Sequence, residues 1–171
     1  IVGRYIVVFT PVFLAMLGAV GWATIKDIEI PWGMFGYYTA LLAVMAMCFL
    51  GIGMLISAVA RSTDIAQGAA FMVWLTLLLF LDLILLGVMI QGKVAPEVAV
   101  GVALVNPLQV FRTAALALFD PQLIVLGPSA YVILDTFGLV GYKVFALVYP
   151  AALGLLSATI GYFIFRRGDL P

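Results

Sequence analysis

Charged side chains are so sparse in this chain that the gaps between them dictate what it can fold into. Four gaps stand out, at residues 5–25, 30–60, 65–92 and 144–165. The first holds Pro11, Gly18 and Gly21, the third is broken only by Asp82, and the last carries Pro150 near its start. A helix rises about 1.5 Å per residue, so crossing a hydrocarbon layer of about 30 Å takes about 20 apolar residues. Each gap is long enough. The expected spans are 5–25, 35–60, 66–91 and 144–165, which makes an all-α, polytopic transmembrane helix bundle with four spans. Residues 1–171 are expected to form a single transmembrane domain.

Composition excludes the alternative of a water-soluble domain. Hydrophobic residues make up 66% of the chain and charged ones 9%, where globular chains carry roughly half and about a quarter. Eight basic and eight acidic residues cancel, so no basic excess invites nucleic acid. With no His and only Cys48, neither a disulfide within the chain nor a His- or Cys-ligated metal can form. No phosphate-binding loop, nucleophile elbow or pair of catalytic carboxylates is present. The expectation is a non-catalytic membrane subunit without a cofactor.

The stretch 93–143 is apolar but too divided to span. Glu97, Arg112, Asp120 and Asp135 interrupt it, with Pro96, Pro107, Pro121 and Pro128 between them. Asn106-Pro107 reads as a helix start with Pro in the first turn, and Asp120-Pro121 as its stop. Short helices lying against the bundle are expected there, with no further span. The basic residues set the orientation. Arg4, Arg61, Arg166 and Arg167 fall in short segments on one side, whereas Lys26, Lys93, Arg112 and Lys143 lie on the other. By the positive-inside rule both ends and the Arg61 turn face the cytoplasm, and 93–143 is extracytoplasmic.

Several residues invite a functional reading beside a structural one. Asp82 is the one acid inside a span; it is either a proton or cation site or a carboxyl bonded to a neighbouring helix, the latter favoured because no other span offers a charged partner. Met45, Met47, Cys48 and Met54 have the ligand types of a cuprous site, but Met45 and Met47 point to different helix faces. Arg61-Ser62-Thr63-Asp64 makes a tight turn in which Ser62, Thr63 or Asp64 can cap the next helix; it is also a candidate contact for a cytoplasmic partner. Gly51 with Gly53, Gly68-Ala69-Ala70, Gly154 with Ala158 and Ser157 with Gly161 are expected at close helix contacts. Trp22 and Trp32 flank the first outer turn as interfacial anchors.

Four segments, in order, resemble the membrane subunit of bacterial ABC exporters of the second type, and within these the permease of nitrous oxide reductase and multicopper-enzyme maturation. They are 51–62, ending Ala60-Arg61-Ser62; Leu81-Asp82-Leu83-Ile84-Leu85-Leu86; the extracytoplasmic motif Asn106-Pro107-Leu108-Gln109-Val110-Phe111-Arg112; and Phe163-Ile164-Phe165-Arg166-Arg167. The resemblance covers the last four spans of a six-span subunit. It implies that two further spans and a coupling helix would precede Ile1, so that the chain is the C-terminal part of a longer permease.

The resemblance also implies partners: a nucleotide-binding ATPase subunit, a second permease copy in a homodimer, and a periplasmic accessory protein. The setting would be the bacterial inner membrane, with ATP hydrolysis in the partner shifting helices between inward- and outward-facing states. No residue names a cargo. Two other readings stay open: an accessory, anchoring subunit of a membrane-bound respiratory or copper-enzyme complex, and a cation-coupled carrier using Asp82.

Overall fold

The chain was analysed as a computed structural model, which describes residues 2–80, 96–123 and 128–167. The fold is all-α, as the sequence leads one to expect. Among the described residues the helices are α1 (Val2–Ile25), α2 (Trp32–Val59), α3 (Thr63–Leu75), α4 (Pro96–Val105), α5 (Pro107–Phe119) and α6 (Pro128–Arg167). A π-helical segment, Thr76–Phe80, continues α3.

Three of these are long and apolar enough to cross a membrane: Gly3–Ile25, Trp32–Val59 and Val132–Arg167. The third expected span, 66–91, begins as helix at Thr63. Its remainder, with Asp82, lies outside the described residues.

The end of α1 is set by backbone geometry. Asp27 takes a left-handed conformation (φ 53°), while Ile28 N donates to Ala23 O and Asp27 N to Thr24 O. This double closure satisfies carbonyls that the last helical turn leaves open. Trp22 and Trp32 flank the turn, both more than 60% exposed, and Lys26 Nζ lies 5.3 Å from the Trp22 ring centre. Helix α1 touches α2 lightly and has no buried residue among its long apolar run. Tyr5 donates its hydroxyl to Ala43 O at 3.1 Å, and Thr39 Oγ1 lies 3.5 Å from Met16 Sδ.

The strongest packing joins α2 to α6. Leu41, Met45, Cys48 and Gly51 form the buried stripe of α2, at the three- and four-residue spacing that keeps side chains on one helical face. Opposite them on α6 lie Tyr142, Ala146, Pro150, Gly154, Ser157 and Gly161, all buried. Tyr37 pairs with Lys143, 106 positions apart, and Leu55 meets Gly161 at the same offset. A constant offset means that the two helices run parallel. Arg61, which follows α2, and Arg166-Arg167, which close α6, therefore stand at the same end of the bundle.

At the opposite end, α4 and α5 fold over the first half of α6. Val100, Val110, Ala114, Ala117 and Leu123 pack there with Leu41, Ile133, Tyr142 and Ala146 in one buried cluster. Helix α5 occupies the limits that its sequence punctuation sets, with Asn106 as N-cap, Pro107 in the first turn and Asp120 as C-cap.

Helix α6 departs from expectation. The charge pattern starts the last span at residue 144, but helix runs from Pro128 over 40 residues, broken at Gly138 (φ 63°, ψ 167°). That φ lies in the left-handed region, which glycine enters without steric cost. Charges limit how much of a helix sits in hydrocarbon, not how far the helix continues. Asp135 points outward from α6, and Lys143 stays within it, its Nζ 5.7 Å from the Tyr37 ring centre. Residues 128–143, expected in the extracytoplasmic segment, thus belong to the same broken helix as the last span.

Candidate functional site

The polar groups of this apolar chain converge where α4 meets α5. Asn106 is 1% exposed, and its side chain is used at both ends. Oδ1 accepts from Leu108 N at 3.0 Å, capping α5. Nδ2 donates to Leu77 O at 2.7 Å, across 29 positions. Leu77 lies in the π-helical segment. Such a widened turn disturbs the regular ladder and leaves backbone groups in need of other partners. The Asn106 amide donates to a carbonyl within it.

Two tyrosines of α6 hold the same corner. Tyr149 donates its hydroxyl to Val105 O at 2.5 Å, a carbonyl that the end of α4 leaves open. The Tyr142 hydroxyl lies 3.5 Å from Val110 O on α5. A third, Tyr37 on α2, donates to Lys143 O at 2.9 Å. In an apolar medium a hydroxyl without a partner is costly, and each of these three finds one on a backbone carbonyl. These three hydroxyls therefore tie α2, α4 and α5 to α6.

The rest of the extracytoplasmic motif follows α5 outward. Pro107 is buried beneath the corner. Phe111 stacks at an angle against Tyr38, ring centres 6.1 Å apart. Phe111 and Arg112 line a groove of ≈ 720 Å³ with Ile30, Met34 and Tyr38 of the α1–α2 region. Asn106, Pro107, Phe111 and Arg112 thus share one helix, although Asn106 faces α3 and Phe111 faces α2.

The Arg61 turn lies at the other end. Arg61, Ser62, Thr63 and Asp64 are all exposed. Of the three possible caps, Ser62 is the one used: its Oγ accepts from Ile65 N at 3.3 Å. Asp82 lies outside the described residues.

Between α1, α2 and α6 runs a second groove, ≈ 590 Å³, lined by Tyr5, Met47, Gly51, Gly154, Thr159 and Tyr162 among others. Its floor is a close approach of two helices. A Cβ on Gly154 would lie 2.7 Å from Cys48 Cα, and one on Gly161 would lie 3.0 Å from Leu55 Cα. Gly53 and Gly68, also expected at helix contacts, have no neighbour within 4 Å of such a Cβ. Met45 and Cys48 face inward on α2 while Met47 lines the groove. Among the described residues no three His, Cys, Asp or Glu side chains gather as a metal site.

The sequence places the helix start at Asn106-Pro107, as observed, but does not show the bond to Leu77 or the three tyrosine hydroxyls. A tyrosine inside an apolar span was the available signal, since a buried hydroxyl needs a partner.

Comparison with known proteins agrees with an all-helical membrane protein. Residues 1–170 match the family described as ABC-2 family transporter protein. No curated protein and no solved structure matches. The match covers nearly the whole chain, so the chain belongs to the ABC-2 transporter family. It is a membrane permease component without catalytic activity, of a kind that pairs with separate ATPase subunits.

Proposed function

From membership in the ABC-2 family, we propose that this chain supplies four membrane spans of an exporter permease, with both of its ends in the cytoplasm. ATP hydrolysis in a partner subunit drives it between inward- and outward-facing states. The observation that carries this reading is the family match over residues 1–170. The parallel register of α2 and α6 supports the orientation, because it gathers Arg61, Arg166 and Arg167 at one end. Arginines in short segments favour the cytoplasmic side. The exposed turn at Arg61, Ser62, Thr63 and Asp64 belongs to the docking face for the ATPase, and a second permease copy completes the assembly.

The finer assignment is maturation of a copper enzyme, with a periplasmic accessory protein as a further partner. It rests on the resemblance of 51–62, 81–86, 106–112 and 163–167 to the maturation permease. Affinity purification of the full permease from its native membrane tests the first part and is expected to bring down an ATPase. Cells lacking the permease test the second. Their copper enzyme is expected to be made without its full metal content. Normal metal content would remove the maturation role and leave the exporter standing.

A further inference from the structure

One face of α6 is apolar for three turns and then ends in a cation. Leu155, Thr159, Tyr162 and Phe163 form a wall of the groove between α1, α2 and α6, and all four are exposed. At about 100° per residue, Arg166 is the next position on that face, whereas Arg167 is turned about 100° away from it. From Leu155 to Arg166 the helix rises about 16 Å, close to half of a hydrocarbon layer of about 30 Å. Residue 155 is the middle of the expected span 144–165. The groove therefore runs from mid-bilayer to one interface, where it meets a cation.

The groove is closed toward mid-bilayer and positive at its open end. Tyr5, which lines it, donates its hydroxyl to Ala43 O at 3.1 Å, about two turns of α2 before Gly51. The Thr159 hydroxyl donates to Leu155 O within α6, so this lining residue asks no polar partner of an occupant. Arg61, Arg166 and Arg167 gather at the open end, all exposed. Among the described residues the acid at that end is Asp64, in the first turn of α3. Tyr162 is 49% exposed and stands one turn before Arg166, at the depth where tyrosines mark a membrane interface.

We propose that this groove binds one anionic phospholipid, with an acyl chain along the α6 stripe and the phosphate on Arg166. The guanidinium offers the phosphate two parallel hydrogen bonds, and the neighbouring arginines add to the attraction for an anionic headgroup. The acyl chain fills the space between α1 and α6, which make no close backbone contact of their own among the described residues. A helix fits this space less well. At a diameter of about 10 Å, 16 Å of helix occupies about 1,300 Å³, more than twice the ≈ 590 Å³ of the groove. Placing the lipid in the cytoplasmic leaflet rests on the orientation proposed above; the groove and its cation do not.

Photolabelling of the full permease in phosphatidylcholine nanodiscs tests the site, using a phosphatidylglycerol probe with a diazirine midway along one acyl chain. Leu155 and Thr159 are expected to be labelled several-fold more than Ile160 and Ile164, which are exposed on another face of α6 and report ordinary lipid contact. A phosphatidylethanolamine probe with the same chain is expected to label the groove several-fold less. Arg166→Gln is expected to abolish that headgroup preference. Arg167→Gln removes the same charge off the groove face and is expected to keep it. Thr159→Trp fills the groove and is expected to lower labelling of Leu155 several-fold while Ile160 and Ile164 are labelled as before. The site is overturned if both faces label equally, if the two probes label alike, or if the two arginine variants behave alike. It is also overturned if the groove stays unlabelled, as when another helix of the permease or a second copy covers it. Sidedness is scored separately by thiol labelling, so a reversed orientation changes the leaflet and not the site.

Discussion

Gly51 and Gly154 meet backbone to backbone: a Cβ added to Gly51 would lie 2.1 Å from the Gly154 carbonyl oxygen. In a bilayer, lipid is as apolar as the side chains, so helices associate through close packing and hydrogen bonds. The glycines let α2 and α6 approach closely enough for both, and the contact fixes the parallel register on which the orientation of the whole chain depends.

Gly51→Ala must push the helices apart, because the atom in the way is backbone and cannot rotate aside. Overpacking of this kind costs about 1–3 kcal/mol. Gly53→Ala, two residues on and turned about 200° around the helix, with nothing within 4 Å, is expected to stabilise by about 0.5–1 kcal/mol through helix propensity alone. Thermal unfolding of the purified protein in detergent should move in opposite directions for the two variants. Equal shifts would mean that the contact is not formed.

Tyr149→Phe removes the hydroxyl from Val105 O, and Tyr37→Phe removes the one from Lys143 O. Each removes one hydrogen bond between helices and is expected to cost about 0.5–1.5 kcal/mol. The two sites share no partner, so their effects should add in the double variant. Unfolding in the same detergent checks both size and additivity.

Much of this arrangement is legible in the sequence. Asn106, Pro107 and Asp120 mark the ends of α5 because capping and proline chemistry are local. The first two spans are legible for the same reason that charges are excluded from hydrocarbon. Gly138 was not recognised as a break, since a glycine in an apolar run carries no sign of the backbone angle it will adopt. Nor does anything local to Leu77 announce that its carbonyl will be held from Asn106, 29 positions away. Gly51 and Gly53 look alike in sequence; only the position of α6 decides which of them is pressed.

Membrane sidedness can be read by labelling. Cys48 is the sole cysteine of this chain and is buried, so introduced thiols report cleanly. Gln122→Cys is expected to react with an impermeant maleimide from the periplasm, and Gln67→Cys only after the membrane is opened. Both sites are exposed. The reverse pattern would invert the orientation.

Asp82 is expected not to titrate during transport. An amide can replace most hydrogen bonds of a carboxyl, so Asp82→Asn should keep most of the nucleotide-driven activity of the assembled complex. Asp82→Leu should lower the yield of that complex. Loss of activity in a normally assembled Asn variant would favour the cation-coupled carrier.

The central claim is that an ATPase docks at the end of the bundle where Arg61, Arg166 and Arg167 stand together. The direct measurement is the affinity of the purified ATPase for correctly oriented permease in nanodiscs, wild type against Arg61→Glu, with and without MgATP. Wild type is expected to bind, and Arg61→Glu to bind several-fold more weakly, because the turn offers only part of the contact. Binding undiminished by the reversed charge, or no binding by wild type under any nucleotide condition, would contradict the account.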